Sequence, residues 1–140
     1  MAVADALRPS LLRLSRELRR EARDVGVSPE QVAILVTIKY TPGVCSGELA
    51  AAERVSAAAM SKLVSRLERD GLVERTPSET DRRRVGLTLT AEGQRTLRRV
   101  RSRRTAWLAT RLRDLDPASL AAVEAAAEPL ARLLHDREGR

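Results

Sequence analysis

The sequence predicts a mostly α-helical chain carrying one small β-hairpin. Three observations point there. Two capped helical stretches, 46–53 and 56–70, follow each other closely. Two short apolar runs, 72–76 and 85–89, come next, with a polar, basic segment between them. Longer helical stretches with apolar stripes lie on both sides. Two helices joined by a short turn, then a hairpin with a basic tip, form the pattern of a winged helix-turn-helix.

The central stretch supports each of these elements. Ser46 is placed to cap a helix over 47–53, and Ser56 to cap a second over 57–70. In the second, Met60, Leu63, Val64 and Leu67 recur at i, i+3, i+4 and i+7, so one face packs inward. The opposite face carries the donors Ser61, Lys62, Ser65, Arg66 and Arg69. Gly71 follows the last periodic residue, where a left-handed glycine ends a helix, with Leu72 placed for the hydrophobic contact of that cap. Leu72–Thr76 reads as a strand. Val85, Leu87 and Leu89 alternate with Arg84, Gly86 and Thr88 and read as its partner. Val44–Cys45 is expected to add a one-bridge strand.

Around this centre, residues 2–24 read as a first helix with Leu7, Leu11, Leu14 and Leu18 on one face. Pro9 offers a second starting point for it. Ser28-Pro29-Glu30-Gln31 is a helix-start signature, and the helix it opens, 29–40, is apolar nearly all round, which predicts burial. Thr90 caps a long helix over 91–113 whose Leu97, Val100, Arg104, Leu108, Leu112 and Leu115 form a packing seam. Asp116-Pro117 starts the last helix, 117–134, and Pro129 within it predicts a kink or break. Leu11, Leu14, Leu18, Leu108, Leu112, Leu130 and Leu134 exceed what one winged-helix core absorbs. They predict a two-fold interface with a second copy, against the alternative of a monomeric helical hairpin.

Composition narrows the function. The chain has 140 residues, enough for one domain with a real core. Its formal net charge is +7, which suits a polyanion, although an Arg-rich solvated surface would give the same balance. A single cysteine excludes an intramolecular disulfide. Cys45 reads as a buried strand residue, and Tyr40 and Trp107 as core or interface residues. His135 reads as a solvated helix-end cation. No phosphate-cradling glycine loop, nucleophile elbow or metal-ligand spacing stands out, so neither an enzyme nor a cofactor or metal is expected. Residues before Arg8 hold no apolar segment and no run approaches membrane-spanning length, so a cytoplasmic location without membrane contact is expected.

The residues expected to bind double-stranded DNA follow from the pattern. The N-terminal half of the second helix of the pair would enter the major groove: Ser56, Ala57, Ala59, Ser61 and Lys62, with Arg66 one turn on. Small alanines permit close approach, and an alanine methyl can meet a thymine methyl. Ser56 has two readings together, helix cap and phosphate donor site, while the alanines read equally as helix formers. Arg82, Arg83 and Arg84 form a cationic cluster for the phosphate backbone or minor groove.

The string Leu67-Glu68-Arg69-Asp70-Gly71-Leu72-Val73-Glu74-Arg75, then Asp81-Arg82-Arg83-Arg84, then Leu87-Thr88-Leu89-Thr90-Ala91-Glu92-Gly93 resembles the multiple-antibiotic-resistance regulator (MarR) family. The resemblance extends over the whole chain. It implies a single domain over 1–140 with a winged-helix DNA-binding part, 28–90, and a helical dimerisation part, 1–27 and 91–140. It also implies a homodimeric transcriptional regulator, read as a repressor, binding a pseudo-palindromic operator. By the same resemblance Arg83 enters the minor groove and Asp81 orients neighbouring arginines. The family's ligands suggest release by a small hydrophobic or phenolic acid. An aliphatic crevice is expected for it where the first, second and long helices meet, with Arg16, Arg20 or Arg104 as the anion's partner; the alternative is an effector-free regulator whose crevice is filled core. Two other readings stay open: a sequence-tolerant architectural DNA-binding protein, and a helical protein-interaction module.

Overall fold

The structure, a computed structural model, describes residues 1–77 and 84–135, the His135 side chain excepted. The elements are α1 (Ala2–Arg20), a 3-10 turn (Arg23–Val25), α2 (Pro29–Tyr40), α3 (Ser46–Glu53), α4 (Ala57–Arg69), β1 (Val73–Pro77), β2 (Val85–Leu89), α5 (Ala91–Leu112) and α6 (Pro117–His135). This is a winged helix-turn-helix between terminal helices, as the sequence predicts. The chain forms two compact units, Met1–Arg104 and Thr105–Arg140.

In the first unit the core is assembled around α2. Ser28 and Gln31 close a reciprocal capping box, with Gln31 N–H donating to Ser28 Oγ at 3.1 Å and Ser28 N–H to Gln31 Oε1 at 2.9 Å. Val32, Ile34, Leu35 and Ile38 of α2 are buried with Leu49 of α3, Met60, Val64 and Leu67 of α4, Leu87 of β2 and Val100 of α5. Burial of α2 is not complete all round: Val36 is exposed and Tyr40 is 76% exposed, its ring under the Lys39 ammonium, so Tyr40 is not a core residue.

α1 starts at Ala2 and runs through Pro9. It stops at Arg20 rather than continuing to Asp24, because the chain tightens into the 3-10 turn and leaves it through left-handed Gly26. That turn buries Ala22 and Val27, which a continued helix would not bring together. The cap of α3 also differs from expectation. Cys45 has the extended backbone of an N-cap and Ser46 is already helical. Cys45 is therefore half-buried at a helix start, not a buried strand residue, and Val44 alone bridges Leu87.

The hairpin pairs Val73 with Leu89, Arg75 with Leu87 and Pro77 with Val85. Its first strand begins one residue later than expected, since Leu72 is held by the end of α4. Gly71 has φ +73, its N–H donates to Glu68 O, and Leu72 N–H reaches back to Leu67 O at 3.0 Å. These are the two bonds of a Schellman cap.

In the second unit, Asp116 caps α6 by accepting from Ser119 N–H at 2.6 Å and from Ser119 Oγ–H at 3.1 Å. These two hydrogen bonds hold the Asp116 carboxyl below its ordinary value. α6 runs through Pro129 as one helix, so the expected break does not occur. The carbonyl that Pro129 leaves unpaired belongs to Ala125, which is exposed, so water can satisfy it. Trp107 is half-buried, with the Arg111 guanidinium 3.6 Å from its ring centre.

Candidate nucleic-acid interface

The site is built on α4. Met60, Val64 and Leu67 anchor its inner face in the core, which leaves the opposite face to solvent. At its start, Ser56 Oγ accepts from Ala59 N–H at 3.1 Å. The first turn carries no acidic residue, so the positive end of the helix dipole is uncompensated. Ser56, Ala57 and Ala59 are all exposed there. One turn on, Ser61, Lys62 and Arg66 line a shallow groove of about 420 Å³ together with Ser65 and Arg69. Every polar side chain in that lining is a donor, and none is acidic. Such a row suits phosphate oxygens and the acceptor-rich edge of guanine.

Ser65 and Arg69, which share the donor face that the sequence periodicity defines, join Ser61, Lys62 and Arg66 in this lining. Arg54 is a further cation that sequence reasoning missed. It is exposed in the turn between α3 and α4 and has φ +54. Holding a non-glycine residue in the left-handed region costs about 1–2 kcal/mol. The available signal was the absence of glycine from that turn.

The wing side divides. Asp81, Arg82 and Arg83 lie outside the described residues. Arg84 is described and is turned toward α3. It forms an ion pair with Glu48 and lies 3.4 Å from Cys45 Sγ through its Nη2. The hairpin is braced to α4 elsewhere by Arg75 Nε, which donates to Glu68 Oε2 at 2.8 Å.

The candidate ligand residues are brought only partly together. Arg16 and Arg20 line a groove of about 500 Å³ between α1, the 3-10 turn and α2, which Arg19, Arg23, Ser15 and Glu30 also line. Leu12 and Pro29 are its apolar walls, so it is an arginine-rich groove, not the aliphatic crevice with one guanidinium that was expected. Arg104 is not among its lining residues. Its Nε donates to Leu18 O at 3.1 Å, and burial, then the nearby Arg19 charge, lower its pKa.

Among the described residues no group of three or more His, Cys, Asp or Glu could hold a metal ion, and no helix is long and apolar enough to cross a membrane.

A donor-lined helix face beside a hairpin is a pattern of winged-helix DNA-binding proteins, and comparison with known proteins places the chain among transcriptional regulators of that fold. The family description "MarR family" matches residues 27–85. An HTH-type transcriptional regulator of Mycobacterium tuberculosis is 30% identical over 134 residues, 96% of this chain and 94% of that protein. A transcriptional regulator of Thermotoga maritima superposes with a TM-score of 0.83 at 27% identity, covering 99% of this chain and 98% of the other. A mutant of MepR from S. aureus bound to an oligodeoxyribonucleotide shares the fold, with a TM-score of 0.71 at 19% identity over 96% of this chain and 99% of that one. The chain belongs to the MarR family of DNA-binding transcriptional regulators.

Proposed function

We propose that the protein is a homodimeric repressor that binds a pseudo-palindromic operator through the solvent face of α4. The donor row Ser61, Lys62, Ser65, Arg66 and Arg69, free of any carboxylate, is the observation that carries this reading. Lys62 and Ser61 lie nearest the helix start and would reach base edges, while Arg66 and Arg69 would hold phosphates. The N-terminus of α4 would take one more phosphate on its uncompensated amides. Arg83, by family resemblance, would enter the minor groove, with Asp81 orienting its neighbours. The MepR relative bound to an oligodeoxyribonucleotide supports the same use of the fold.

The second copy is proposed from the terminal helices. α1 buries no residue, and Leu11, Leu12 and Leu14 are exposed. Leu115, Leu120, Val123, Leu133 and Leu134 are likewise exposed in the second unit. Apolar surface of that extent favours association with another copy. In this division of labour, 28–90 reads DNA while 1–27 and 91–140 hold the dimer. Sedimentation is expected to give a dimer at micromolar concentration, and a stable monomer would refute it. A regulator of transcription acts where the chromosome is, so a cytoplasmic location follows from the same proposal.

The groove at Arg16 and Arg20 is the proposed effector site. Arg16, Arg19 and Arg23 favour the acid end of a small organic acid over the single Glu30 carboxylate of the lining, Arg20 being paired with Glu17, and Leu12 and Pro29 supply the apolar contact. An acid that releases DNA must bind the DNA-bound dimer less tightly than the free one. Calorimetric titration of phenolic and fatty acids, with and without duplex, measures that difference. Equal affinities in the two states would remove the effector from the account.

Binding to duplex DNA as a function of salt tests the main reading. Lys62→Ala is expected to relax preference at one base position, by about 1–3 kcal/mol, if Lys62 touches a base. If it touches phosphate only, affinity falls on all sequences and the salt slope drops by about one. Unchanged binding by Lys62→Ala and by Arg83→Ala would refute the placement. An architectural protein would show no preference for one duplex over bulk DNA. An interaction module would show no salt-dependent DNA affinity.

A further inference from the structure

The strand that returns from the wing is fastened to the start of the helix-turn-helix by a set of contacts that the reading surface does not include. Gly43, with φ +85, donates its N–H to Leu87 O at 2.9 Å, and Leu87 N–H donates to Val44 O at 2.9 Å. β2 lies so close to this connection that a Cβ on Gly86 would stand 2.8 Å from Gly43 O. Arg84 and Gly86 are two residues apart on the same chain, so their side positions share one face. The close approach at Gly86 therefore aims Arg84 at α3. There its Nη2 meets Glu48 Oε1, and Cys45 Sγ–H donates to the same oxygen at 3.1 Å. Glu48 lies in the first turn of α3, where a negative charge is favoured by the helix dipole.

We infer that Arg84 is a positioning residue and not a DNA ligand: its ion pair with Glu48 sets where the wing stands relative to α3 and α4. This rests on the proposed DNA-binding function. The competing role is a phosphate contact that Glu48 merely shields. The two differ in sign. If Glu48 positions the wing, neutralising it misplaces the wing and weakens specific binding. If Glu48 shields a phosphate ligand, neutralising it frees a cation and tightens binding on every sequence.

The experiment uses the full chain with Glu48→Gln, Arg84→Glu and the exchanged pair Glu48→Arg with Arg84→Glu. Affinity is measured for a duplex selected from a random pool and for bulk DNA, each against salt. Hydrogen exchange at the Leu87 amide is measured in the free protein. For Glu48→Gln the expected result is Leu87 exchange about two- to five-fold faster and selected-duplex affinity lower by a similar factor, the range of an exposed ion pair. The preference over bulk DNA falls and the salt slope stays constant. The exchanged pair recovers Leu87 protection that Arg84→Glu alone loses. Unchanged or tighter binding by Glu48→Gln, with the salt slope steeper by about one, would overturn the inference. So would unchanged Leu87 exchange. If the wild-type protein binds no duplex at all, the DNA-binding reading fails by itself, and Leu87 exchange still decides whether the pair holds the strand.

Discussion

Gly93→Ala tests how the winged unit is joined to the long helix. Three contacts meet at this point. Thr90 N–H donates to Leu72 O at 3.1 Å, Thr90 Oγ1–H donates to Gly71 O, and Gly93 N–H donates to Thr90 Oγ1 at 3.0 Å. A Cβ on Gly93 would overlap the Leu72 carbonyl oxygen, which is backbone and cannot rotate away. The end of α4 must then part from the start of α5. Overpacking of this kind costs about 1–3 kcal/mol. Loss of the Thr90–Leu72 hydrogen bond adds about 0.5–1.5 kcal/mol. The helix propensity of alanine over glycine returns at most about 1 kcal/mol. The balance is destabilisation by about 0.5–3.5 kcal/mol, or a melting temperature lower by about 2–10 °C for a chain of this size. Urea or thermal unfolding followed by circular dichroism measures it. A Gly93→Ala protein as stable as the wild type, or more so, would refute the close approach.

Other substitutions carry shorter predictions. Ser56→Ala removes the cap of α4 and should lower stability by about 1 kcal/mol, while weakening DNA binding beyond that; chemical unfolding and duplex titration separate the two effects. Asp116→Ala should destabilise α6 at neutral pH. Because the folded-state pKa of Asp116 is depressed, the stabilisation is present above its unfolded value and is lost as pH falls through the folded one. Hydrogen exchange of α6 should therefore differ between wild type and variant most at neutral pH and less in acid; a difference that does not shrink as pH falls would contradict the Ser119 contacts as the source of the pKa shift.

Local chemistry made part of this fold legible. Ser28, Pro29 and Gln31 define the start of α2 because a capping box is complete within four residues. Gly71 is legible for the same reason. The donor face of α4 could be read from periodicity, since Met60, Val64 and Leu67 fix which side is buried. What depends on distant residues was not legible. Arg84 and Glu48 are 36 positions apart, and nothing local announces that they meet. Gly93 belongs to a recognisable string, yet its reason, the Leu72 carbonyl, is visible only in three dimensions. Pro129 lies inside α6 without ending it; the hydrogen bond it removes frees the carbonyl of exposed Ala125, where water can replace the lost partner, and sequence spacing alone does not report that exposure. Arg104 was grouped with Arg16 and Arg20 by charge, but it is engaged at Leu18.

Selection of bound duplexes from a random pool, followed by sequencing, tests the central claim most directly. A dimer reading through two α4 faces should enrich an inverted repeat with half-site centres about 10–10.5 base pairs apart, or a multiple of that spacing. The enriched duplex should bind about 10³–10⁷ times more tightly than bulk DNA. Enrichment of no motif, or of one without two-fold symmetry, would contradict the claim.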